Sequence, residues 1–228
     1  MRDLILQERF ELEVLDRLNS ARVLPQLVFT GGTMLRLCHG LNRYSVDLDF
    51  WLATAFDAED LFRRVNECLS QPYVMKDAAD KFHSLVFQAA STRYPRSLKV
   101  EIRKQAREVA TERTIAFSPH AATQVLVNAV SLPDMMRAKL AALTDRREAR
   151  DAFDLEFLLR KGIALQAPTP TLREALGALA SLTENDYKVK LGSLLQQPYR
   201  EYYAAENFKL LQRAIQNALT VGLEGTTP

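Results

Sequence analysis

The chain has 228 residues, of which 47% are apolar and 25% charged, with a formal net charge of +2 at pH 7. Those proportions suit a globular protein of one large or two modest domains and exclude long disorder. No apolar run approaches the ~20 residues of a membrane span, and MRDLILQERFELEVLDRL lacks the basic stretch and apolar block of a secretory signal.

Residues 2 to about 20 predict a helix, because Phe10, Val14 and Leu18, with Leu15, fall on one stripe. Leu27-Val28-Phe29 predicts a short buried strand after Pro25, running into Thr30-Gly31-Gly32-Thr33. A short helix from Met34 to His39 follows and stops at Gly40, a C-terminal cap. Val46 to Trp51 predicts a strand, and Asp57 opens a helix over residues 57–69. Residues 72–90 predict two strands, the second around Ser84 to Ala89. Ser97 to Lys104 and Gln124 to Val130 predict two more. After Pro133 the patterns are helical, broken by Gly162, by Ala167-Pro168-Thr169-Pro170 and by Gln197-Pro198. The expected fold class is therefore α+β: a mixed sheet flanked by helices, then a helical domain.

Cys38 and Cys68 sit singly on predicted helices, which argues against a disulfide framework and for a reducing cytoplasm. His39, His83 and His120 make no metal-ligand spacing with them. Charge is unevenly spread. Arg93 to Arg113 holds seven basic and three acidic residues, and Arg137 to Arg150 holds five against two. Such patches are compatible with phosphate or nucleic-acid binding, and equally with solvated surface.

The chemistry concentrates in Phe29 to Trp51, FTGGTMLRLCHGLNRYSVDLDFW. Paired glycines let the backbone turn sharply and approach a ligand. Free amides and the dipole at the start of the next helix favour an anion there, and Thr33 adds a hydroxyl. Asp47 and Asp49, two apart on a strand, share one face and can converge on a hard cation such as magnesium. An exposed acidic face is the bland alternative, but Leu48, Phe50 and Trp51 point to a buried strand, where unpaired acids are costly. In Leu98-Lys99-Val100-Glu101-Ile102, the apolar residues form one face and Lys99, Glu101 and Arg103 the other. Glu101 is a third metal ligand, a general base, or a surface acid paired with Lys99 or Arg103. His39 reads more readily as a helix residue than as a base. Tyr44 and Trp51 are either stacking platforms or core.

The order of glycine turn, helix, Asp-x-Asp strand and later acid resembles the DNA polymerase β-like nucleotidyltransferase superfamily. Two blocks bring it closer to the AbiEii/AbiGii toxin family. One runs from Gly31-Gly32-Thr33 to Leu41-Asn42-Arg43-Tyr44-Ser45-Val46-Asp47-Leu48-Asp49-Phe50. The other is Leu132-Pro133-Asp134-Met135-Met136-Arg137-Ala138-Lys139-Leu140 followed by Arg146 and Arg150-Asp151-Ala152-Phe153-Asp154-Leu155. The resemblance covers residues 29–155. It implies a nucleotidyltransferase domain over residues 1–125 and a helical domain over 126–228 that completes the nucleotide site.

It also implies the site residues. Gly31, Gly32, Thr33, Arg43, Ser45, Lys139 and Arg150 would bind nucleotide or phosphate. Asp47, Asp49 and Glu101 would hold Mg2+ or Mn2+, with Asp151 and Asp154 in support, although Glu101 stands where some relatives carry aspartate. On one helix over 134–150, Lys139, Arg146 and Arg150 would share a face; a turn near Asp145 to Glu148 would alter that. Asp151 has helix capping as its alternative role.

The expected function is transfer of a nucleotide from an NTP to an acceptor hydroxyl, foremost a tRNA 3′ end. It would serve as the toxin of a bacterial toxin–antitoxin or phage-abortive system, with an antitoxin protein as partner, in the cytoplasm and away from membranes. The competing expectations are a small-molecule or protein acceptor, and a non-catalytic NTP-binding module.

Overall fold

The computed structural model describes residues 1–53 and 57–224, with side chains to residue 220. The chain divides into two compact units, one ending at Ser131 and the other starting at Leu132. That is a few residues beyond a 125/126 division, because residues 125–130 form a strand of the first unit's sheet.

The first unit opens with helix α1 (Arg2–Ser20), whose buried stripe includes Leu4, Val14, Leu15 and Leu18. Pro25 sits in a short 3-10 turn and delivers strand β1 (Leu27–Thr30), buried throughout. Helix α2 (Gly31–His39) starts at the glycines themselves and ends at Gly40, whose left-handed conformation releases the chain. Strand β2 (Asp47–Leu52) follows. Helix α3 (Ala58–Ser70) is capped by the Asp57 carboxylate, which accepts from the amides of Glu59 and Asp60. Strands β3 (Val74–Asp80), β4 (Ser84–Ala90), β5 (Leu98–Arg103), β6 (Thr111–Ala116) and β7 (Val125–Val130) complete the unit.

The seven strands form one mixed sheet in the order β3-β4-β5-β2-β1-β7-β6. β2 is antiparallel to β1 and parallel to β5, and β1 is parallel to β7. One sheet face is core: Leu48 and Phe50 of β2 and Val100 and Ile102 of β5 are buried, together with Leu85 and Phe87 of β4. Phe62 of α3 stacks on Phe87, and Phe10 of α1 stacks on Tyr94, so both helices seal this side. The other face carries the polar members of the same alternation.

The second unit is helical: α4 (Leu132–Arg146), α5 (Ala149–Arg160), α6 (Thr169–Ala180), a π-helical and 3-10 stretch over 186–194, α7 (Gln197–Glu206) and α8 (Lys209–Glu224). Its core includes Leu140, Leu143, Leu158, Leu172, Phe208 and Leu211. Glu156 of α5 is fully buried. It accepts from Arg160, from the Tyr203 hydroxyl at 3.0 Å and from the Leu211 amide at 3.3 Å, which ties α7 and α8 to α5.

Candidate active site

The junction of β1 and α2 places an acid on a glycine turn. Gly31 has φ of +80°, a left-handed conformation that suits glycine. A Cβ built there would lie 2.6 Å from Asp49 Oδ2, so the Asp49 carboxylate packs directly on the turn. The cross-strand pairing of Thr30 with Asp49 sets this approach. A Cβ on Gly32 would run into the Arg43 guanidinium and come within 3.0 Å of Ser45 Oγ. Arg43 is 2% exposed and donates to the Tyr44 carbonyl, so its charge lies beneath the turn rather than in front of it. Thr33 is also buried, and its hydroxyl donates to the Asp47 carbonyl at 2.5 Å. The turn, Arg43, Ser45 and Asp49 thus form one cluster, while Thr33 holds β2 by its backbone.

Parallel pairing extends the acidic face sideways. Asp47 lies beside Lys99 and Asp49 beside Glu101, because β2 and β5 run in register. Lys99 Nζ stands 3.1 Å from Glu101 Oε2 and 3.8 Å from Asp47 Oδ2. Burial alone would lower the Lys99 pKa, but Asp47, the hydrogen bond and charge of Glu101, and Asp49 together hold it above the ordinary lysine value. Glu101 therefore has the ion pair that a surface acid would have, while facing the same side as the two aspartates.

The donor set fits a divalent ion. Among the described residues no group of three or more His, Cys, Asp or Glu side chains is gathered into a metal-binding cluster. Magnesium at a nucleotide site needs no such cage, since one or two carboxylates suffice when substrate phosphates fill other positions. Asp47 and Asp49 are hard oxygen donors on one strand face, part exposed, with the glycine turn against Asp49.

In the second unit a continuous helix over 134–150 does not form. α4 ends at Arg146, Arg147 has φ of +54°, and α5 starts at Ala149. The shared face expected for Lys139, Arg146 and Arg150 is replaced by a corner. Lys139 is buried and ion-paired to Asp151 at 3.1 Å and Asp154 at 2.6 Å. Arg146 grips Asp151 through Nη2 at 2.8 Å and Nε at 3.1 Å. Asp151 is thus a partner of two cations rather than a cap, and Glu148 occupies the N-cap position. Arg150 pairs with Glu148.

Sequence reasoning passed over a polar cluster behind β2. Gln7 of α1 donates to the Val46 carbonyl at 3.3 Å, immediately before Asp47. Glu8 is buried and takes both Arg36 and the Ser118 hydroxyl. Glu11 is buried and an oxygen of its carboxyl finds no hydrogen-bond partner; burial first, then the neighbouring Glu8, pushes its pKa well up. The signal was present: Leu4, Gln7, Glu11, Val14 and Leu18 follow one helical stripe, so two polar residues stand where apolar ones are expected. Tyr44 and Trp51 are core residues, each with a guanidinium over its ring, Arg36 at 4.1 Å and Arg107 at 4.8 Å. His39 lies 3.5 Å from Glu112, away from the acidic strand.

A mixed sheet with a glycine turn packed on an Asp-x-Asp strand is the arrangement that the resemblance to nucleotidyltransferases implies. The family described as nucleotidyl transferase AbiEii toxin, type IV toxin–antitoxin system, matches residues 13–219, and the chain belongs to that family. MenT4, a nucleotidyltransferase toxin of Mycobacterium tuberculosis H37Rv, has a similar structure, with a TM-score of 0.60 at 19% identity over 96% of this chain and 93% of its own. JHP933 of Helicobacter pylori is similar with a TM-score of 0.53 at 22% identity, covering 96% and 95% of the two chains. No curated protein sequence matches.

Proposed function

We propose that this nucleotidyltransferase toxin moves a nucleotide from an NTP to the 3′ hydroxyl of a tRNA, with Asp47 and Asp49 as the metal-binding acids. The observation that carries the proposal is the contact of Asp49 with the Gly31 turn, which puts a carboxylate next to a helix start suited to polyphosphate.

In this reading the amides of Gly31, Gly32 and Thr33 bind the triphosphate. Arg43 supplies positive charge from beneath Gly32, and Ser45 lines the same turn. Thr33 fixes the Asp47 backbone, so the carboxylates are held before substrate arrives. Mg2+ or Mn2+ on Asp47 and Asp49, with Glu101 as third acid, would lower the acceptor hydroxyl's pKa and neutralise charge on departing pyrophosphate. In the second unit Lys139 and Arg150 are the proposed phosphate-binding residues. Asp151 and Asp154 orient Lys139 by the ion pairs they already make.

An RNA acceptor is supported by the basic stretch over 93–113, in which Arg93, Arg96, Arg103, Arg107 and Arg113 are exposed. No helix among the described residues is long and apolar enough to cross a membrane. We place the activity in the cytoplasm, where NTPs and tRNA meet, with an antitoxin protein as partner.

Incubating total cell RNA and protein with each NTP in turn, followed by mass spectrometry, tests the acceptor. The expected result is one nucleotide or a short run added to tRNA 3′ ends. Label on a small molecule or a protein instead would replace the acceptor, and NTP binding without pyrophosphate release would replace the enzyme with a binding module.

A further inference from the structure

Lys99 stands where a metal and a lysine would want the same oxygens. It lies beside Asp47 in the parallel register and two residues before Glu101, which lies beside Asp49. Its ammonium is 3.1 Å from Glu101 Oε2 and 3.8 Å from Asp47 Oδ2. The side chains of Lys99, Asp47 and Glu101 are 38%, 34% and 25% exposed, so ions and phosphates in solution can reach all of them. Acids this close repel one another unless a cation stands among them, and an ammonium meets that need as a divalent ion does. An ammonium already on Asp47 in turn opposes a second cation on the same oxygen.

We propose that Lys99 is the internal counter-ion of this acidic face and competes with the divalent metal for Asp47 and Glu101 until a triphosphate binds. The inference rests on the metal-site reading above. Lysine is suited to the exchange, because its point charge sits on a flexible stem and can turn from carboxylate to phosphate without a fixed geometry. The triphosphate brings negative charge to the face and offers Lys99 a new partner. The carboxylates are then free for the metal, so that metal and nucleotide bind together and the enzyme without nucleotide holds metal weakly. Lys99 is a positioning residue in this account, acting through the acids.

The test is titration of the full chain with Mn2+, followed by the loss of the free-ion signal in electron paramagnetic resonance, with and without a non-hydrolysable NTP. Lys99→Met should bind Mn2+ without nucleotide about fivefold more tightly than wild type, the upper end for a partly screened charge pair. The same variant should gain less from added nucleotide, and Lys99→Arg should stay near wild type. Lys99→Gln serves if the methionine variant does not fold. Asp47→Asn separates the two readings. Mn2+ binding that depends on Asp47 but is unchanged or weaker in Lys99→Met and Lys99→Gln overturns the counter-ion role and leaves the metal site standing. Mn2+ binding indifferent to Asp47→Asn removes both.

Discussion

Gly31 joins backbone conformation to chemistry. Its positive φ costs an alanine about 1–2 kcal/mol, and the added methyl would also displace Asp49 Oδ2, 2.6 Å away. Gly31→Ala should therefore lower nucleotide transfer by about a hundredfold or more while costing the fold only a few kcal/mol. Parallel measurement of transfer rate and thermal midpoint checks this, and a variant with full activity would contradict the packing of acid on turn. Glu11 gives a prediction of the opposite sign. Its pKa is raised from 4.5 by burial and by Glu8, so its protonated form is the one the fold favours. The associated stability is full below about pH 4.5 and is lost as pH rises through the raised value. Glu11→Gln should flatten that decline and be more stable than wild type near pH 8, as read by thermal unfolding from about pH 5 to 8; parallel curves would refute it. Gly31, Asp47 and Asp49 were legible in the sequence because their pattern is local. Glu11 and Gln7 showed only as polar breaks in an apolar stripe, because what buries them comes from elements far along the chain.

At the scale of elements, the register of β2 on β5 turns four separate residues into one face. Alternation in LKVEI placed Glu101 opposite the core, but only strand pairing puts it beside Asp49. β6 escaped the sequence because it is an edge strand with five of its six residues outside the core, so TERTIA has no apolar rhythm. The corner between α4 and α5 was legible as a turn near Asp145 to Glu148, yet its electrostatics were not. Lys139 is buried against two fully buried carboxylates, Asp151 and Asp154. Lys139→Met should destabilise the second unit by about 3–5 kcal/mol, since buried acids lose a cation. Denaturant unfolding checks the figure. A variant as stable as wild type would mean that Arg146 alone holds the corner.

At the scale of the whole molecule, a net charge of +2 conceals close juxtaposition: exposed Arg103 of the basic stretch over 93–113 alternates on β5 with Glu101, which lies beside Asp49 of β2. The split into a sheet unit and a helical unit was visible as the change of pattern after Pro133, and its place at Ser131–Leu132 follows from β7 completing the sheet. In the proposed reaction, nucleotidyl transfer depends on Asp47 and Asp49. The most direct measurement is incorporation of label from α-phosphate-labelled NTPs into total RNA by wild type, Asp47→Asn and Asp49→Asn, with and without a chelator. Wild type should incorporate label, and each substitution or the chelator should reduce it by about a thousandfold, with the thermal midpoint of both variants near wild type. Undiminished incorporation by folded Asp47→Asn and Asp49→Asn would contradict it.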